Sequence, residues 1–483
     1  MKRTIAYILA ITLLVTALPL TLASCSPAMR LKSMDESRRA AAFYTLVGER
    51  ADRSSSNSMN QTMTLIMDIN GLSYEQITEG TVTFIGERDD FTYLEQFQTT
   101  IRTNNLVTIM QEDRGYADGT MFLYYKTDEG ATKMKSSVTP EEYDAFMGEL
   151  NADNLATRVG EGYCETMTCV QNPDKTWTAT YEDFTEEGMK PFHKMLEGIE
   201  YAVTADHSLK GVRMTCSADA DLYPTEFLID FLFEENPDAE SRVPTVSVKT
   251  TYTGWNNTVL AEPYDHSNFT EVEDLRYVER FLKALQDRET ADAGSVEITT
   301  NAKSRYADQT ERTETSQSFT YRTTDGIELT LDYTQFGYDY RMTYRNGRMT
   351  TSVYEEGTET CVNSQTSSLK DYEAQSIIQQ MVNSESIRAA DIVNAKLTDA
   401  EKGTYHFTLG NAVKNKLNEQ YQSSYGSTID EFRGHIDATV VDGELKSYIY
   451  SVYTTLEVDG ILLEITVYMT VTFGEFKANS ETI

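Results

Sequence analysis

Between Ile461 and Phe473 every odd position is apolar and most even positions are polar, the period-two pattern of a strand that buries one face. Asp442-Gly443 and Asp459-Gly460 bracket the preceding strand, Glu444–Val458. Such pairs reach the positive φ of tight hairpin turns, so the last three strands form an antiparallel meander. Near the other end, Met63, Leu65, Met67 and Ile69 alternate with Thr62, Thr64, Ile66 and Asp68. Phe91, Tyr93, Phe97 and Ile101 share one face of a later strand. Hairpin connections of this kind exclude a parallel sheet.

Helical patterns interrupt the strands at few places. Val138-Thr139-Pro140-Glu141-Glu142-Tyr143 offers an N-cap threonine, a proline at the first helical position and a glutamate at the third, with Val138 and Tyr143 placed to staple. Thr270 and Glu273 repeat the capping-box spacing before Leu275, Val278, Leu282 and Leu285, an apolar stripe expected to face the sheet. Asp35 to Arg50 is the expected counterpart early in the chain. Further helices are expected near Lys190 to Gly198, Leu369 to Val382 and Asn411 to Tyr421.

The two halves resemble each other. Asp118-Gly119-Thr120-Met121 aligns with Asn346-Gly347-Arg348-Met349, and Thr176-Trp177 with Thr404-Tyr405, both at a spacing of 228 residues. Glu129-Gly130 aligns with Glu356-Gly357, and Ser137 to Tyr143 with Ser367 to Tyr372. Beyond these the spacing is expected to grow to 236, with Ser208-Leu209-Lys210-Gly211 against Glu444-Leu445-Lys446-Ser447. The order of turn, strand, capped helix, strand, helix and meander recurs, which reads as two copies of one domain joined through Gly254 to Asn268. The expected domains are 34–262 and 263–483, and the short link implies that they touch.

Composition agrees with a folded body. Apolar residues make up 40 % of the chain and aromatic residues 11 %, with 30 tyrosines and only nine prolines, so the chain is globular and strand-rich, without a disordered spacer. The 76 Asp+Glu against 42 Lys+Arg give a net charge of −34, which opposes binding to nucleic acid and to anionic headgroups.

The first residues change the picture. Lys2-Arg3, an uncharged apolar run from Ile5 to Leu22, and small residues before Cys25 make the three-part layout of an export signal. Leu22-Ala23-Ser24-Cys25 resembles the bacterial lipoprotein lipobox. That resemblance implies cleavage after Ser24, a diacylglycerol on the Cys25 thiol, a signal peptide over 1–24 and a lipidated tether over 25–33. Two or more acyl chains anchor a protein stably. The expected location is therefore the extracytoplasmic face of a cell membrane, with the membrane itself as the first partner.

The signal, the opening helix, the antiparallel strands, the capped helix and the closing meander together resemble the bacterial lipoprotein-carrier and glycolipid-binding lipoprotein superfamily, LolA-like in fold. The resemblance implies an α+β fold: two tandem curved antiparallel β half-barrels, each with a few helices on the concave face. It also implies an apolar or lipid-like ligand, for which Met63, Leu65 and Met67 are the expected lining. The alternative is an envelope scaffold whose cores are filled and whose surface meets another protein.

No catalytic, metal or cofactor signature accompanies this. His193, His207, His266, His406 and His435 share no spacing, and Asp219-Ala220-Asp221 reads as a solvated turn. Of the cysteines left after processing, Cys164, Cys169, Cys216 and Cys361, a disulfide joining Cys216 to Cys169 or Cys164 is the expected pairing if one forms, while buried free thiols are the simpler reading. Tyr338, Tyr340 and Tyr344, and Tyr448 with Tyr450, form rows that could line a groove but are expected to pack across strands. The protein is expected not to be an enzyme.

Overall fold

A computed structural model describes residues 27–52, 54–69, 72–87, 90–104, 106–151, 167–183, 185, 207, 209–235, 242–260, 264–289, 291–323, 326–369, 371–383 and 387–474. The signal segment with Ser24 and Cys25, the helix expected near Lys190 to Gly198, Cys164 and His193 lie outside them.

The first repeat contributes β1 (Ser56–Ile69), β2 (Leu72–Glu87), β3 (Asp90–Thr103), β4 (Leu106–Ala117), β5 (Thr120–Lys126), β6 (Ala131–Ser137), β7 (Thr168–Gln171), β8 (Trp177–Asp183), β9 (Leu209–Ala218), β10 (Pro224–Phe233) and β11 (Thr245–Thr253). After the two-residue β12 (Thr270–Glu271), the second contributes β13 (Ala293–Tyr306), β14 (Gln309–Arg322), β15 (Glu328–Gln335), β16 (Tyr338–Arg345), β17 (Arg348–Glu355), β18 (Cys361–Ser368), β19 (Ile392–Asp399), β20 (Thr404–Leu409), β21 (Ile429–Val441), β22 (Glu444–Val458) and β23 (Ile461–Phe473). The first sheet begins at the short β12 and then runs β6-β5-β4-β3-β2-β1-β11-β10-β9-β8-β7, and from β6 onward the second matches it as β18-β17-β16-β15-β14-β13-β23-β22-β21-β20-β19. These are the same topology, strand for strand. Two large antiparallel sheets with helices make an α+β fold of tandem open half-barrels.

Turn chemistry fixes the hairpins. Asp118-Gly119 and Asn346-Gly347 take φ values of 49° and 74°, and 51° and 73°, and Asp442-Gly443 and Asp459-Gly460 also lie at positive φ. These residues adopt that conformation at low cost and match the twist of the strands they join. The register differs from expectation at one place. Leu209-Lys210-Gly211 opens β9, whose counterpart is β21, whereas Glu444 opens β22, the counterpart of β10. The expected spacing of 236 is one strand out of step, because a Leu-Lys pair at a strand start is text that any alternating strand can carry.

Helices sit at matching places: α1 (Pro27–Lys32) and α2 (Glu36–Asp52) before β1, α3 (Pro140–Asn151) after β6, α4 (Arg276–Glu289) before β13, α5 (Asp371–Val382) after β18 and α6 (Asn411–Tyr425) after β20. The α3 capping box forms as expected: Glu142 N–H donates to Thr139 Oγ1 at 3.2 Å and Thr139 N–H to Glu142 Oε2 at 3.0 Å. That Thr139 amide, with the Arg276 charge, holds the Glu142 carboxyl below its ordinary pKa. The box expected at Thr270 and Glu273 does not form. Thr270–Glu271 is drawn into parallel pairing with Met134–Lys135 of β6, which satisfies an otherwise open edge, and Asp274 accepts the Arg276 N–H at 3.0 Å instead.

The buried side chains fall into three groups. One packs Phe43 and Val47 of α2 against Leu65 and Met67 of β1, Trp177 and Tyr181 of β8, and Met214 and Ile229 of β9 and β10. The largest joins Tyr116, Leu123 and Met134 of β4 to β6, with Tyr143 and Phe146 of α3, to α4, α5 and every strand of the second sheet but the exposed edge strand β18, including Phe319, Phe407 and Ile436. This core crosses position 262. A third, on the opposite face of the first sheet, holds Leu94, Phe122 and Phe269, where Tyr264 of the link stacks on Phe122 at 4.7 Å and donates to Asp113 at 2.7 Å. The link is therefore a strap across the back of the first sheet.

A disulfide between Cys169 and Cys216 does not form. Both are buried free thiols, and Ala179 stands between them in the register, so they are two strands, about 9–10 Å, apart. Burial pushes the Cys169 thiol up to about 11 and the Cys216 thiol up to about 12, which keeps both unreactive near neutral pH.

Candidate functional site: the concave strip of the first repeat

The register places Met63, Thr78, Thr99 and Met110 in one row across β1 to β4, and Leu65, Gln76, Ile101 and Thr108 in the next. Paired residues share a face, and Leu65 and Met67 fix that face as the one covered by α2. Leu65 and Met67 are only 3 % and 4 % exposed, packed beneath the helix, whereas Met63 and the residues of the rows on β2 to β4 are half-buried. Of the three residues expected to line a cavity, Met63 thus faces the strip, and Leu65 and Met67 form its packed margin.

The strip mixes apolar and polar groups. Met63, Ile101 and Met110 supply apolar area, and the Thr78 and Thr99 hydroxyls bond each other at 2.9 Å. Tyr74 donates to Gln76 Oε1 at 2.7 Å at one side, and the Tyr125 hydroxyl meets Met110 Sδ at 3.7 Å at the other. Three half-buried apolar side chains are thus interleaved with hydroxyl and amide groups along the strip.

One end of the strip is closed by charge. The Arg114 guanidinium lies 3.2 Å from Glu95 and 3.6 Å from Glu279 of α4, and also pairs with Glu112. Tyr93 donates to Glu95. Burial raises the Glu279 carboxyl above its ordinary pKa, with Arg114 opposing and Glu112 and Glu95 adding to the rise. Burial works against the Arg114 charge, yet Glu279, Glu112 and Glu95 together hold it more firmly protonated than usual. Three carboxylates share one cation here, and one of them comes from the second repeat. The signal for this cluster in the sequence is Arg114 falling in the same alternating row as Met110 and Tyr116, a charge at a concave position.

Elsewhere, His406 Nδ1 lies 2.7 Å from Asp437 Oδ1, and His435 Nε2 lies 3.5 Å from Asp437 Oδ2, with the two rings 5.1 Å apart. They occupy the face of β20 and β21 opposite to buried Phe407 and Ile436, open to solvent and outside the two surface grooves described below. Among the described residues no group of three or more His, Cys, Asp or Glu could hold a metal ion. Asp219 accepts the Asp221 and Tyr223 amides in a turn. His207 contacts the Glu234 carbonyl, and His266 stacks on Phe122. Tyr340 stacks on Tyr333 across β15 and β16 at 4.8 Å, and Tyr344 and Tyr448 are buried in the core, so these tyrosines pack across strands.

Among the described residues, one surface groove of about 650 Å³ lies beside α1, α2 and the β7–β8 turn, and another of about 520 Å³ lies against α6. Neither is lined by Met63, Leu65 or Met67.

No protein-family model matches the chain, and no curated protein matches it. Among solved structures it is similar to a DUF1329 family protein from Desulfovibrio piger, at 8 % identity and TM-score 0.15, over 43 % of this chain and 93 % of that one. A β-barrel-like DUF1849 protein from Brucella abortus gives 14 % identity and TM-score 0.15 over 41 % and 97 %. A putative AttH from Nitrosomonas europaea gives 7 % and 0.12 over 87 % and 92 %. Scores this low carry no weight for fold or function.

Proposed function

We propose that the protein is a lipid-anchored, extracytoplasmic, non-catalytic binding protein that holds an apolar or lipid-like molecule along the concave strip of its first repeat. The observation that carries this reading is the half-buried row Met63, Thr78, Thr99, Met110, left between two packed cores. A chain lying there covers Met63, Ile101 and Met110, and each Å² of apolar surface removed from water contributes about 25 cal/mol toward binding, against the cost of immobilising the ligand. The three carboxylates around Arg114 disfavour an anionic headgroup at that end. The anchor is the acylated Cys25, and the acidic body stands off an anionic surface. The pair of His406 and Asp437 lies on the face of β20 and β21 opposite to buried Phe407 and Ile436, and the proposal gives it no catalytic role.

A second reading, an envelope scaffold, is favoured by the second repeat, whose central strands put Phe319, Tyr321 and Leu329 into the filled core. The two separate in one experiment. Organic extraction of the purified protein, with mass spectrometry, is expected to recover an amphiphile at near one per chain, and intact mass is expected to show acyl groups on Cys25. An extract free of amphiphile supports the scaffold; an unmodified, uncleaved leader removes the anchor.

A further inference from the structure

The groove of about 650 Å³ beside α1, α2 and the β7–β8 turn has the chemistry of an anion site. Lys32, Arg39 and Lys175 line it together with Trp177, and no Asp or Glu is among its lining residues. Asp174, in the same turn, is engaged locally: it accepts the Thr176 N–H at 3.0 Å and the Thr176 hydroxyl at 2.6 Å. Asp35 and Glu36, next along the chain, are exposed where α2 begins.

Two donors at the groove lack an acceptor. Arg39 is held through its Nη atoms by the Met34 carbonyl at 3.0 Å and the Cys169 carbonyl at 3.3 Å, and its buried Nε–H is left unbonded among the described residues. Trp177 is 1 % exposed, and its Nε1–H is likewise buried and unbonded. Buried donors in folded proteins are almost always paired, so two of them beside one basic groove mark a place for acceptor oxygens.

Position selects the anion. Lys32 ends α1, and Cys25 lies seven residues before it. With a helical rise of 1.5 Å per residue and at most about 3.6 Å per extended residue, the Lys32 backbone lies within about 15 Å of the Cys25 backbone. A tether this short keeps the groove at the headgroup layer of the membrane that holds an acylated Cys25. The net charge of −34 belongs to the whole chain, and its repulsion is screened beyond about 8 Å at physiological salt, so it governs the distant body and not this end.

We propose that the groove takes the phosphate of an anionic membrane phospholipid, a second contact with the bilayer that sets which end of the body faces it. The proposal rests on the acylation of Cys25. Arginine and lysine together offer a phosphate several charge-assisted hydrogen bonds, and each basic residue near an anionic bilayer adds to attachment.

The test places the purified acylated chain on vesicles of phosphatidylcholine, with or without phosphatidylglycerol, and follows lysine acetylation by an amine reagent, located by mass spectrometry. Phosphatidylglycerol is expected to slow labelling of Lys32 and Lys175 about fivefold or more relative to Lys402, a lysine 78 % exposed in the second repeat. Inorganic phosphate added to vesicles without phosphatidylglycerol is expected to leave labelling unchanged. Lys175→Gln alters an exposed side chain and is expected to remove most of the protection of Lys32. Flotation and intact mass report the anchor separately. A chain that floats and carries acyl mass, but whose labelling ignores phosphatidylglycerol, overturns the proposal and leaves the anchor standing. Equal protection by inorganic phosphate, or equal protection of Lys402, also overturns it. A chain without acyl mass that does not float removes the anchor and this proposal together.

Discussion

The two repeats share a strand order but bury their sheets differently. In the second, β13, β14 and β15 all feed the packed interior through Val296, Ile298, Phe319, Tyr321 and Leu329. In the first, the sheet is divided: β1 and β7 to β11 pack under α2, while β4 to β6 pack with α3 against the other repeat, and concave residues of β2 and β3 remain half-buried between. The second copy thus supplies most of the buried apolar side chains of the shared core, and in the first the concave residues of β2 and β3 between the two cores are half-buried among the described residues. The difference arises at particular positions. The shared hairpin register sets Phe319 and Tyr321 of β14 at the positions of Val82 and Phe84 in β2, and Gln76, Thr78 and Gly80 at those of Thr313, Thr315 and Gln317, so the copies differ instead where β13 buries Ile298 and β1 has half-buried Gln61; in β2, Phe97 lies over Gly80 so closely that a Cβ there would meet its ring at 2.2 Å.

The contrast breaks first in the filled core. Phe319→Ala removes a fully buried ring and is expected to cost about 3–5 kcal/mol, whereas Ile101→Ala on the strip is expected to cost about 1 kcal/mol, both read from denaturant midpoints. Comparable losses would mean that the strip is core after all.

Next comes the junction between the repeats. Arg114→Met leaves Glu95, Glu112 and Glu279 facing one another and is expected to cost about 2–4 kcal/mol, recovered in part by adding Glu279→Gln. A smaller effect follows from pH. A carboxyl whose pKa is raised in the folded chain binds a proton that the unfolded chain has released, so stability falls as pH rises from the ordinary carboxylate range through the raised value of Glu279. Glu279→Gln is expected to flatten that part of the thermal unfolding profile, and an unchanged slope would assign it to other groups. The least perturbing test is chemical: a thiol reagent is expected to label exposed Cys361 in the native state, and Cys169 and Cys216 only on unfolding.

Much of this fold is legible in the amino-acid sequence. The strands Glu444–Val458 and Ile461–Phe473 and their Asp-Gly turns lie where alternation and turn chemistry put them, since period two and positive φ are local properties. The α3 cap is equally local. What escaped is non-local. Thr270 and Glu273 have the spacing of a cap, yet the open edge of β6 claims that segment for pairing. Met63, Leu65 and Met67 share one face of β1, but which of them a helix covers depends on α2, a tertiary neighbour. The Arg114 cluster draws its members from β3, β4 and α4, and only docking of the repeats brings Glu279 to it.

The central claim is that the first repeat binds on its concave strip and the second does not. Its most direct measurement is titration of the purified full chain with a fluorescent acyl probe in three forms: wild type, Thr99→Trp, which fills the strip, and Thr315→Trp, at a half-buried concave position of β14. The account predicts binding near one per chain, abolished by Thr99→Trp and retained by Thr315→Trp. Binding that survives Thr99→Trp, or that Thr315→Trp removes instead, would contradict it.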